Sequence, residues 1–160
     1  MHATRNDLPA GTREKVISLL NQNLADTIDL GLQAKQAHWN VKGPSFIALH
    51  ELFDKAAEVV EDGIDELAER ITALGGIADG TLQTVAKRSR LAPYPTDIAK
   101  GRDHVAKLAD AIAAVGKSAR SAIDESDKLG DKDTADLFTG ISRELDKQLW
   151  FVEAHLQAAE

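Results

Sequence analysis

Apolar residues recur along most of this chain at steps of three and four, the interval that brings successive side chains onto one face of an α-helix. Val16, Leu20, Leu24, Ile28 and Gly31 follow it and predict a first helix, N-capped at Thr12 and about seven turns long, reaching His38 and Trp39. A turn at Lys42-Gly43-Pro44 then folds the chain back. With Ser45 as its N-cap, a second helix carries Leu49, Leu52, Phe53, Ala56, Val60, Ile64, Leu67 and Ile71 on one face and ends at Gly75-Gly76. Residues 77–96 are too many for a simple turn, so they are expected to cross over the bundle, with a short helix at Thr81–Lys87. A third long helix is expected from Pro95 and Thr96 to about Gly130, on Ile98, Val105, Leu108, Ile112, Val115, Ala119 and Ile123. A fourth starts near Thr134 and uses Leu137, Ile141, Leu145, Leu149, Val152 and Leu156. No strand-like alternation competes. The pattern predicts an all-α four-helix bundle with its long crossover between the second and third long helices. Residues 1–11 are polar, contain Pro9 and Gly11 and lack a helical period, so they are expected to form a flexible tail before a single domain at 12–160.

The polar face of the second helix is more informative than its apolar one. His50, Asp54, Glu58, Glu61, Asp65 and Glu69 are separated by three or four residues throughout and share an arc of about 100°. The stripe is palindromic about the point between Val59 and Val60. Its members cannot close on a metal by themselves: Asp54 and Asp65 point the same way but lie roughly 16 Å apart along the helix, whereas ligands must converge to about 2–2.6 Å from one centre. A second copy placed antiparallel across a twofold axis at Val59 and Val60 would bring His50 of one chain to the partner's Glu69, and Asp54 to the partner's Asp65. His38, at the end of the first helix, folds back beside His50. The competing reading is a solvated acidic face, the ordinary complement of an apolar one; the two histidines are what raise it toward a metal site.

Composition narrows the options. The 160 residues suit one domain with a proper core. The absence of cysteine removes disulfides, thiolate zinc sites and thiol nucleophiles. No apolar run is long enough for a membrane span and no leader pattern opens the sequence, so a soluble cytoplasmic protein is expected. The net charge of −7 favours cations over nucleic acid as partners. Lys87, Arg88 and Arg90 are the one compact basic cluster, expected to be solvated, with phosphate binding as the alternative.

No Glu is followed three residues later by His, so a Glu-x-x-His di-iron centre inside one bundle is not expected. The pattern AHWN, then HELFD with its His twelve residues after the first, then DELAER places His38, Trp39, His50, Asp54, Asp65 and Glu69 as in the Dps family, the mini-ferritins, which this chain resembles over nearly its whole length. DKDTADLFTGISRELDKQLWF at residues 131–151 is a second match. The resemblance implies a ferritin-like bundle assembled as a hollow dodecamer. It implies a ferroxidase that oxidises Fe(II), preferentially with hydrogen peroxide, and keeps the ferric mineral inside. His38, His50 and Asp54 would come from one subunit, and Asp65 and Glu69 from its neighbour.

Further candidates follow from position. Glu58 and Glu61, between two such sites, are candidates for mineral nucleation or simply solvate the helix. Asp131, Asp133 and Asp136 suit a helix start, while the resemblance places their region at a threefold pore that admits iron. Trp39 is a candidate radical sink or a packing anchor, and Trp150 shares that ambiguity. Two other functions stay open. One is DNA compaction with nucleoid association, for which this tail, without lysine before Lys15, and a C-terminus without a basic extension are poorly equipped. The other is a purely structural helical assembly.

Overall fold

A computed structural model describes residues 1–157. Its helices are α1 (Ala10–Asn40), α2 (Phe46–Ala73), the short α3 (Leu82–Arg88), α4 (Gly101–Leu129) and α5 (Lys132–Glu153). Helices α1 and α2 form one antiparallel hairpin, α4 and α5 another, and the hairpins pack α1 on α4 and α2 on α5. The core between them is aliphatic with two buried phenylalanines: Leu20, Leu24 and Leu30 of α1, Phe53, Leu67 and Ile71 of α2, Leu108 and Ile112 of α4, Phe138 and Leu145 of α5. No helix is long and apolar enough to cross a membrane among the described residues.

Helix α2 ends at the opposite end of the bundle from the start of α4, so the connection must run the bundle's length. Helix α1 is built to hold it. Asn21 donates to the Ile77 carbonyl and accepts from the Asp79 amide, Gln22 donates to the Arg88 carbonyl, and Gln33 to the Ala92 carbonyl. Asp26 takes the Arg90 amide and guanidinium, and Asp29 accepts from the Ser89 hydroxyl. These polar residues follow a helical interval of their own. They bury a second face of α1 by pairing with main-chain groups that would otherwise be left unsatisfied.

Several boundaries differ from the sequence expectation. Helix α1 begins at Ala10 because the Pro9 carbonyl accepts from both Thr12 and Arg13, placing Thr12 in the first turn and not at the cap. The segment before it returns to the end of α2, where the His2 amide donates to the Gly75 carbonyl at 2.7 Å. Ser45 is the N-cap of α2 by position, without a capping bond from its hydroxyl. Helix α4 begins at Gly101, not at Pro95 and Thr96, so Ile98 lies outside it. A tertiary contact decides this: the Lys42 amide donates to the Ala99 carbonyl at 2.9 Å and Lys42 pairs with Lys100 in an isolated β-bridge, holding the chain extended up to α4. A Cβ on Gly101 would lie 2.5 Å from Leu49 Cδ1, so a larger residue there would have to push the Leu49 side chain aside. Helix α4 ends at Gly130, whose φ of 82° lets the chain turn directly into α5. Leu156 lies beyond the end of α5, at Glu153, yet still packs on the core.

Helix α5 begins at Lys132, two residues before the expected start near Thr134, and Asp131 caps it. Its carboxylate accepts from the Thr134 amide and hydroxyl and from Arg70 of α2 at 2.7 Å, and it is only 2% exposed. Asp131 thus takes the helix-start role of the two roles expected for it, with both carboxylate oxygens engaged inside the chain. Asp133 and Asp136, both exposed, keep the pore candidacy. Replacing Asp131 with Ala removes the cap and strands Arg70, and is expected to cost about 3 kcal/mol in a denaturant melt at fixed protein concentration. Asp133→Ala is expected to stay within about 0.5 kcal/mol of the parent; equal midpoints for the two variants would contradict the capping role.

Candidate metal centre

The turn at residues 41–45 brings the end of α1 against the start of α2, and two imidazoles meet there. His38 Nδ1 lies 2.8 Å from the His50 carbonyl oxygen, and His50 Nδ1 lies 2.9 Å from the His38 carbonyl oxygen. A carbonyl has no proton to give, so each Nδ1 must carry the hydrogen and donate it. In the neutral rings the lone pairs then sit on Nε2, the form in which imidazole binds a metal. The rings stack with centroids 3.7 Å apart at 21°, and Phe46 packs against His50 at 5.1 Å.

One turn back along α1 and one turn on along α2, Lys35 Nζ meets Asp54 Oδ1 at 2.5 Å. Asp54 Oδ1 is also 3.9 Å from His38 Nδ1. The Lys35 hydrogen bond is the main reason the Asp54 carboxyl is held below its ordinary pKa, with the positive fields of His38, Lys35 and His50 adding to it against a desolvation penalty. Asp54 therefore stays ionised further into acid than a free aspartate. Lys35 was missed by the sequence reading, although the fold-back of His38 onto His50 sets a helix register that implies the pairing.

The other members of the stripe lie further along α2. Glu58 pairs with Lys55 at 2.8 Å, and Glu61, Asp65 and Glu69 are exposed. Glu69 lines an open groove with Glu66, Arg70, Asp133, Asp136 and Arg143, so it shares a surface with the two exposed candidate pore residues. Among the described residues, no three His, Asp or Glu side chains of one chain come together around a point that could hold a metal. The structure thus stacks His38 on His50 and sets Asp54 Oδ1 3.9 Å from His38 Nδ1, without the three converging on one point, and it leaves Asp65 and Glu69 further along α2.

The tryptophans do not anchor the chain's own core. Trp39 is 63% exposed and Trp150 61%, the latter tilted against Phe151. Phe46, packed against His50, is also exposed, as are Leu32 of α1 and Ile47 of α2. The basic cluster is largely neutralised: Arg90 pairs with Asp26 at 2.5 Å, and Arg88 with Asp79 at 3.8 Å.

Two antiparallel helix hairpins, a lengthwise crossover, and imidazoles beside a carboxylate stripe on the second helix define a ferritin-like protein. The Ferritin-like domain family matches residues 17–160. A DNA protection during starvation protein from Agrobacterium fabrum is 51% identical over 156 residues, covering 98% of this chain and 96% of its own. Among solved structures, Dps from Mycobacterium smegmatis superposes with a TM-score of 0.92 at 35% identity, over 98% of this chain and 95% of that one. A Vibrio cholerae Dps, described as a member of a broad superfamily of ferritin-like diiron-carboxylate proteins, gives 0.90 at 27% identity, with 98% of each chain covered. The chain belongs to the Dps family.

The Lys35 contact yields a test that is independent of turnover. Replacing Lys35 with Met removes a cation that competes for Asp54, and is expected to tighten anaerobic Fe(II) binding about tenfold in calorimetric titration. Unchanged or weaker binding would show that Lys35 does not oppose metal at Asp54.

Proposed function

We propose that the protein is a ferroxidase and iron store, oxidising Fe(II) at sites shared between two subunits and retaining the ferric product inside a closed shell of twelve. Each site takes His38, His50 and Asp54 from one chain and the partner subunit's Asp65 and the partner subunit's Glu69. The observation that carries this reading is the locked pair of imidazoles: Nδ1 of each ring is spent on a carbonyl, leaving Nε2 free to coordinate, while an ionised Asp54 lies 3.9 Å from His38 Nδ1. Exposure of Asp65 and Glu69, together with that of Phe46 against His50, supports completion by a second copy.

Few protein ligands leave positions open on iron for an oxidant, and hard carboxylate oxygens suit the Fe(III) product. Hydrogen peroxide is the preferred oxidant in this reading. Two ferrous ions each give up one electron, the O–O bond breaks with uptake of two protons, and the oxygen leaves as water and not as hydroxyl radical. The protein thereby removes both reagents of a damaging reaction, a role suited to the cytoplasm. Asp133 and Asp136 line the entry pore, Glu58 and Glu61 offer carboxylates for mineral nucleation, and Trp39, exposed next to a ligand, takes up stray oxidising equivalents.

Direct DNA binding is the second reading, favoured by the name of the Agrobacterium relative. The net charge and the paired state of Arg88 and Arg90 weigh against it.

The shared-site reading is tested with two variants that fail for different reasons. His50→Ala and Asp65→Asn are each expected to slow peroxide-driven Fe(II) oxidation about a hundredfold. Mixed assemblies of the two contain sites with both wild-type halves and are expected to regain a substantial part of the rate. Verified hybrids that stay as slow as their parents would contradict sharing between subunits.

A further inference from the structure

At the end of the bundle where α1 turns into α2 and the crossover feeds α4, a cavity of about 320 Å³ opens. Lys42, Ser45, Lys100, Gly101, Arg102 and His155 are among its lining residues, and none of the lining residues is acidic. This reverses the chain's composition, in which 26 acidic residues outnumber 19 Lys and Arg. Lys42, Lys100 and Arg102 make no ion pair among the described residues, whereas Lys35, Arg70, Arg90 and Arg120 each hold a carboxylate within 2.7 Å. Like charges gathered around one space repel unless an anion enters it.

The main chain adds to the same field. Helices α2 and α4 both begin at this cavity, and neither start is capped by a side chain. In α4 the amides of Asp103 and His104 are bonded to the Lys100 carbonyl, while those of Gly101 and Arg102 meet no acceptor among the described residues. Two helix dipoles thus present their positive ends to one space. The Lys42–Ala99 hydrogen bond fixes the turn against the crossover. Lys42, Lys100, Arg102 and His155 are exposed around the opening, so an anion can reach it from solvent, and Lys42 Nζ donates to the Asn40 carbonyl at 3.3 Å.

We propose that this cavity binds a phosphate group. Ammonium, guanidinium and helix-terminal amides reach the space from three chain segments, and phosphate has enough oxygens to accept from all of them, with charge-assisted bonds to each. The volume is at the lower end for ligand sites, which suits inorganic phosphate with its water. The site uses none of the iron ligands, so its test needs no iron and succeeds or fails separately from the ferroxidase reading.

The experiment titrates inorganic phosphate into the iron-free assembly in a phosphate-free buffer by calorimetry, at low and raised salt. Saturable binding is expected, weakened by salt and reduced about tenfold or more in the Lys100→Gln/Arg102→Gln double variant, with Lys42→Gln as the backup if the double variant does not assemble. Lys87→Gln, a basic residue away from the cavity, is expected to bind as the parent does. Competition with duplex DNA separates the sources: displacement of phosphate assigns the site to a nucleic-acid backbone, and no displacement assigns it to the free anion. Absence of saturable binding at millimolar phosphate, or equal affinity in parent and cavity variants, would overturn the proposal.

Discussion

Two hydrogen bonds, each from an imidazole of one helix to a carbonyl of the other, join the end of α1 to the start of α2, and the chemistry of the site depends on them. The His38 carbonyl belongs to the last turn of α1, where main-chain acceptors lack helical partners, so the His50 ring satisfies a group that the fold would otherwise leave unpaired. The same bond fixes the proton on Nδ1. Structure and function are coupled here in one contact: pairing the carbonyl is what keeps the lone pair on Nε2, and stacking of the two rings keeps both in place.

That contact in turn depends on the corner around it. The turn at residues 41–45 is tied to the crossover through the Lys42 amide, which donates to the Ala99 carbonyl just before α4. The crossover reaches this corner only because α1 holds it along the bundle with Asn21, Gln22, Asp26, Asp29 and Gln33. Helix α1 therefore serves the core with its aliphatic face, the crossover with its buried polar face, and the candidate metal centre with Lys35 and His38 at its end. With the core formed by the inner faces, the acidic stripe of α2 is left open over Glu61, Asp65 and Glu69.

The helical interval of the apolar residues was enough to read four long helices, the crossover and its short helix, because burial of a single face governs each long helix. The stripe on α2 was legible for the same reason, being set by spacing alone. The start of α4 was not legible, since Pro95 and Thr96 carry a local helix-start signal that the Lys42–Ala99 bond overrides. The sequence left Asp131 between a helix start and an exposed carboxylate, and the burying partner is Arg70, distant in sequence. Lys35 and the polar hooks of α1 went unread because a pattern of apolar positions does not report which polar residues are buried.

The central claim is that a working iron site needs two chains. Its most direct test is a crystal structure of the assembly soaked anaerobically with Fe(II), with the metal located by anomalous scattering. The account predicts iron within about 2–2.6 Å of His50 Nε2 and of a carboxylate oxygen from a neighbouring subunit. Iron enclosed entirely by the side chains of one chain, or His50 lying far from the partner subunit's Glu69, would contradict it.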